Sequence, residues 1–138
     1  MQDVQIQLAV THQANGQTEQ TRYSYQGRGT KKENGWYFSY PESLEGVGTI
    51  QTVLKVGEAD VTLLRQGKLQ MKQLFAKGKT SETIYNSPMG PLTMETHTRK
   101  VKIKREADRP AQLLLAYQVW LNGQYAGDYE LHLLFQWQ

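Results

Sequence analysis

The chain has 138 residues, 16 lysines and arginines against 13 aspartates and glutamates, a formal net charge of +3, and no cysteine. One domain of this length buries roughly 68% of its unfolded surface, enough for a core without staples, and the missing cysteines exclude disulfides and thiolate metal sites. No stretch approaches about 18 consecutive apolar residues, and no charged segment leads into an apolar run near Met1, so neither a membrane span nor a signal peptide is expected and a cytoplasmic setting is the simplest expectation.

Apolar residues recur with a period of two along most of the chain, the signature of strands with one dry face. The alternation starts with Val4, Ile6, Leu8 and Val10 and returns after Asn15-Gly16 in Tyr23 and Tyr25. Trp36, Phe38 and Tyr40 follow Asn34-Gly35, and then come Ile50, Thr52, Leu54 and Val56, Val61 and Leu63, and Leu69 and Met71. Gln66-Gly67, Lys77-Gly78, the segment Ser87-Pro88-Met89-Gly90-Pro91, Arg109-Pro110 and Asn122-Gly123 supply further turn signals. No helical stripe competes. About eight to ten antiparallel strands follow, in one all-β domain spanning residues 1–138, and so much strand is sustainable only in a sandwich or a barrel.

Residues directly opposite one another in an antiparallel pair share a face, so parity tests each hairpin. A two-residue type I′ loop at Asn15-Gly16 sets Val10 opposite Thr21, Leu8 opposite Tyr23 and Ile6 opposite Tyr25, with dry faces matched. The same loop at Asn122-Gly123 would set Leu115 against Glu130, so the closing hairpin needs an odd residue; the expectation is a three-residue loop from Leu121 to Gly123, with Trp120 facing Gln124 and Leu115 facing Tyr129. In the strand from Leu92 to Arg105 the apolar parity switches between Thr98 and Val101, which predicts a bulge near Arg99-Lys100. Gly27-Arg28-Gly29 marks a bend that helps the sheet curl closed.

The segment Val61-Thr-Leu-Leu-Arg-Gln-Gly-Lys-Leu-Gln-Met71, with Tyr85-Asn-Ser-Pro-Met-Gly90, Leu92, Thr96 and the Leu-Leu-Ala-Tyr117 hairpin, resembles the YwiB-like family, uncharacterised small bacterial proteins of the calycin, or lipocalin-like, group. The resemblance covers most of the chain and is strongest from residue 49 onward. It implies an up-and-down, eight-stranded, closed or nearly closed barrel able to enclose something small. It implies no reaction and no cofactor.

Arg65 continues the inward parity of Val61 and Leu63, and a guanidinium at the rim of an apolar barrel needs a carboxylate, phosphate or carbonyl partner, supplied by a ligand or by a protein acid, unless it extends its head to water over an apolar stem. Tyr85, Thr96 and Thr98 place hydroxyls beside Met71, Met94, Leu115 and Tyr117. Together with Arg65 these form a candidate pocket for a small, partly apolar ligand with an anionic end; the alternative is a filled core whose hydroxyls bond one another or water. Replacing Arg65 by Met is expected to weaken such a ligand and leave the fold intact. Arg99, Lys100, Lys102, Lys104 and Arg105 form a second candidate surface, with alternate cations about 6.6 Å apart that suit nucleic acid or an acidic protein, aided by aromatics such as Trp120, Tyr37 or Trp36. The alternative there is a solvated face that guards an edge. His12, His97 and His132 lie on separate strands, each on the polar parity of its surroundings and without metal-ligand spacing, and no nucleophile, P-loop or acid pair suggests an enzyme. Either a monomer or a homodimer fits the sequence.

Overall fold

A computed structural model describes all 138 residues and is wholly β. Ten strands run β1 (Gln2–Ala14), β2 (Gln17–Lys32), β3 (Gly35–Leu44), β4 (Gly48–Val56), β5 (Val61–Gln66), β6 (Met71–Phe75), β7 (Thr80–Ser87), β8 (Gly90–Glu106), β9 (Arg109–Leu121) and β10 (Gln124–Trp137). Their order across the sheet is β6-β5-β4-β3-β2-β1-β10-β9-β8-β7, every neighbour antiparallel. This is an up-and-down meander curled into a nearly closed barrel of ten strands, two more than the family resemblance implied. No helix is long and apolar enough to cross a membrane.

The β1–β2 hairpin has the register that parity requires, Ile6 opposite Tyr25, Leu8 opposite Tyr23 and Val10 opposite Thr21, across Asn15 and Gly16 at φ 53° and 74°. The β8 bulge falls between Thr98 and Lys100, leaving Arg99 unpaired and moving Val101 and Ile103 to the inner face. The closing hairpin differs from expectation. Asn122 and Gly123, at φ 49° and 79°, form a two-residue turn with Trp120 opposite Tyr125, and the odd residue is Ala126, one step into β10. Beyond that bulge Leu115 faces Leu131 rather than Tyr129. The bulge sits there because Gly127, at φ 145°, lets the His12 ring lie where a Cβ would be, 2.3 Å from Nε2. The β8–β9 turn also moves, to Ala107-Asp108, and Arg109-Pro110 opens β9 instead of ending β8.

The dry faces meet in one core around Val4, Ile6, Phe38, Leu54, Val61, Phe75, Leu113, Leu115 and Leu133. One end is stoppered by aromatic rings. Phe38 stacks on Phe135 at 4.3 Å, Trp36 meets Trp137 edge-on at 5.0 Å, and Trp137 lies so close to Gly29 that a Cβ there would be 2.7 Å from the indole. Trp36 is therefore part of this plug and not an exposed aromatic. The opposite end is polar.

The β2–β3 ladder stops at Arg28–Ser39, two residues before Pro41, which has no N–H to give β2, while the β3–β4 ladder runs through Pro41–Gln51. The two strands therefore part toward the polar end. On the far side, β6 and β7 are joined by a single bridge, Gln70 to Asn86, so a seam remains in the wall.

Candidate functional site at the polar end of the barrel

The inward parity of Trp36, Phe38 and Tyr40 continues past Pro41 and carries a carboxylate, Glu42, into the interior. It is only 3% exposed, and an ionised carboxylate so far from water must be paired. Its partner is Arg65 on β5, whose Nε donates to Oε1 at 3.1 Å and Nη2 to Oε2 at 3.3 Å. The Thr52 hydroxyl also donates to Oε1, and the Tyr25 hydroxyl to Oε2 at 3.4 Å. Burial works against the guanidinium's charge, but the adjoining carboxylate outweighs it and raises the Arg65 pKa.

Tyrosines crowd around the pair. Tyr25 stacks on Tyr40 with centroids 4.8 Å apart; Tyr117 stacks on Tyr129 at 5.4 Å, and Tyr129 on His12 at 4.5 Å. His12 is thus on the inner parity of β1, not the polar one. Burial, and next to it the negative charge of Glu42, lifts the pKa of Tyr25 and Tyr40 well above the usual phenol value; burial does the same for Tyr117 and raises that of Tyr129. All four are therefore neutral at physiological pH and keep their O–H protons, that of Tyr25 directed to Glu42. Arg65's charge is felt at Tyr25, Tyr40 and Tyr117. The Tyr40 and Tyr117 hydroxyls have no protein hydrogen-bond partner, and of Arg65's five N–H groups two go to Glu42 and three remain.

The structure brings together only part of the residue set named from sequence. Arg65 pairs with Met71 across β5 and β6, and Tyr117 reaches toward the same end. Met94, Thr96, Thr98 and Leu115 lie in the packed core. There Thr96 accepts a 3.0 Å hydrogen bond from the Gln73 side chain, and the Thr98 hydroxyl, buried opposite Tyr117, has no partner. Tyr85 is half-buried on β7 opposite Leu92 and packs against the core.

Arg65 also lines a groove of about 390 Å³ at the β6–β7 seam, with Leu64, Met71 and Ile84 as apolar wall and Gln66, Gln70, Lys72 and Asn86 as polar wall. It holds two cations and no acid. Sequence reading missed Glu42 because its neighbours Pro41 and Ser43 look like a turn; the signal was the unbroken even parity from Trp36.

The basic residues of β8 are all exposed. Arg99 pairs with Asp128 at 3.5 Å, and Arg105 Nη2 donates to the Gly57 and Glu58 carbonyls at 3.0 and 3.2 Å. Lys100, Lys102 and Lys104 have no ion-pair partner. Their neighbours across β9 are Ala116, Leu114 and Gln112, none of them aromatic. Trp120 lies against Tyr125 instead, and Tyr37 lies beneath Lys32 and Lys55.

A family model described as "Domain of unknown function (DUF1934)" matches residues 5–133. The uncharacterised β-barrel protein YwiB of Bacillus subtilis (strain 168) is 28% identical over 102 residues, which is 74% of this chain and 67% of that protein. The crystal structure of ywiB protein from Bacillus subtilis superposes with a TM-score of 0.84 at 19% identity, covering 99% of this chain and 92% of that one.

Proposed function

The chain belongs to the DUF1934 family of β-barrel domains, and from that premise we propose that it binds a small, partly apolar molecule by an anionic or carbonyl end at the polar mouth of the barrel. One observation carries this reading. The three spare N–H groups of Arg65 and the unpartnered hydroxyls of Tyr40 and Tyr117 are all donors, and they share one end of the interior. Beside the Glu42 carboxylate, whose charge the guanidinium balances, these five donors have no protein acceptor and suit an oxygen-bearing group of a guest. Glu42 fixes the guanidinium but uses only two of its N–H groups, leaving the rest oriented for a guest. The seam groove, with Lys72 and no carboxylate, favours the same charge on approach, and Met71, Leu64 and Ile84 supply apolar contact.

The test uses 1-anilinonaphthalene-8-sulfonate, an apolar ring system with one anionic group. Titrated against the native protein, it should give saturable, one-to-one fluorescence enhancement. Tyr40→Phe/Tyr117→Phe removes two donors of about 1 kcal/mol each without disturbing Glu42, so affinity should fall about tenfold or more at unchanged melting temperature. Equal binding by the double variant, or no saturable binding by the native chain, refutes the reading.

A further inference from the structure

From Arg99 to Lys104, β8 is hydrogen-bonded through its main chain on one side only, to β9. At one end of this stretch Thr98 is closed off by the β6–β7 turn, its carbonyl accepting from Gly78 N–H at 2.8 Å and its N–H donating to the Lys79 carbonyl at 3.0 Å. At the other end Arg105 holds the Gly57 and Glu58 carbonyls. Between these two closures lies an open strand edge of six residues, about 20 Å long. Its outward side chains are Lys100, Lys102 and Lys104, free of ion pairs, and its inner-face side chains are Val101 and Ile103, half-buried against the core.

We infer that this edge is a docking strand for an extended acidic polypeptide segment, which adds to the sheet beside β8 with acidic side chains opposite the three lysines and apolar ones over Val101 and Ile103. An open ladder alone would accept almost any strand; the charge pattern selects the occupant. A second copy of this chain is rejected, because antiparallel pairing about Lys102 sets Lys102 against Lys102 and Lys100 against Lys104, and like charges directly opposite one another repel. Nucleic acid would use the cations but has no strand to add, and the β9 residues beside the lysines, Ala116, Leu114 and Gln112, offer no stacking surface. The two-sided match, main chain along the edge and alternating charge outward, is what an acidic strand satisfies and a polyanion does not.

The experiment compares two fluorescein-labelled peptides, Glu-Val-Glu-Val-Glu-Val and the same sequence N-methylated at every second residue, by fluorescence anisotropy with the full chain. The plain peptide should bind, slow amide hydrogen exchange between Arg99 and Lys104, and lose about tenfold in affinity in Lys100→Gln/Lys102→Gln/Lys104→Gln, the scale of three cross-strand ion pairs. N-methylation on the edge-facing side should abolish binding. Equal binding of both peptides means attraction by charge alone and overturns the inference. So does tighter binding of a single-stranded oligonucleotide than of the plain peptide. If neither peptide binds, the lysines only guard the edge, and the inference fails.

Discussion

Arg65→Met separates a structural anchor from a mere surface contact. Glu42 is 3% exposed, and its carboxylate would keep the Thr52 hydroxyl and the long contact from Tyr25 but lose both guanidinium bonds. Breaking a buried pair from one side costs about 3–5 kcal/mol. The Arg65 side chain is 26% exposed, so water reaches the break and the lower end applies, about 3 kcal/mol. For a domain of this size, roughly 4 °C per kcal/mol gives a melting point lowered by about 10 °C. The sequence-based expectation that this substitution leaves the fold untouched therefore needs revision, because sequence alone did not show the acid that would be stranded. Glu42→Gln/Arg65→Met removes both charges and keeps an oxygen for Thr52, so it should regain about 2 kcal/mol of the loss. Urea unfolding followed by tryptophan fluorescence closes the cycle. A coupling below about 0.5 kcal/mol would refute the claim that the two charges hold each other in place.

Two further outcomes follow from the geometry. Gly127→Ala should cost about 3 kcal/mol, because its Cβ would lie 2.3 Å from His12 Nε2 at a φ of +145°, whereas Gly16→Ala, at φ +74° with nothing within 4 Å, should cost only about 1 kcal/mol. Equal losses in urea melts would show that crowding at the bulge is unimportant. The raised phenol pKa values predict alkaline unfolding. The unfolded chain gives up these protons near pH 10 and the folded chain only higher, so stability is intact below about pH 10 and lost as pH rises beyond it. Phenolate absorbance from Tyr25, Tyr40 and Tyr117 should appear together with loss of near-ultraviolet circular dichroism; full ionisation of a still-folded protein would contradict this.

Parity made the barrel legible wherever one strand had a clearly dry face. It gave the β1–β2 register residue by residue and located the Arg99 bulge, because Val101 and Ile103 could not otherwise face inward. It showed that the last hairpin needs an odd residue but not where, since a bulge at Ala126 and a longer loop change parity alike; the choice rests on Gly127 accommodating His12, a contact between residues far apart in sequence. β7 was hard to place for a different reason. Its residues are polar and alternate between exposed and half-buried, which leaves little hydrophobic contrast. Of the site, Arg65 and Tyr117 were legible as inward groups, whereas Glu42 and the grouping of the tyrosines at one end emerge only when β3, β5 and β9 curl toward one another.

The seam between β6 and β7 has a mechanical consequence. Every other junction of the cylinder carries a ladder of at least five residue pairs, but here main-chain stitching amounts to two hydrogen bonds, Gln70 N–H to Asn86 O at 3.0 Å and Asn86 N–H to Gln70 O at 2.9 Å. A wall under thermal agitation parts along its least-sewn line. That line runs past Arg65 and Met71, so the cheapest breathing motion of this barrel is also the one that uncovers the inner surface of its polar mouth.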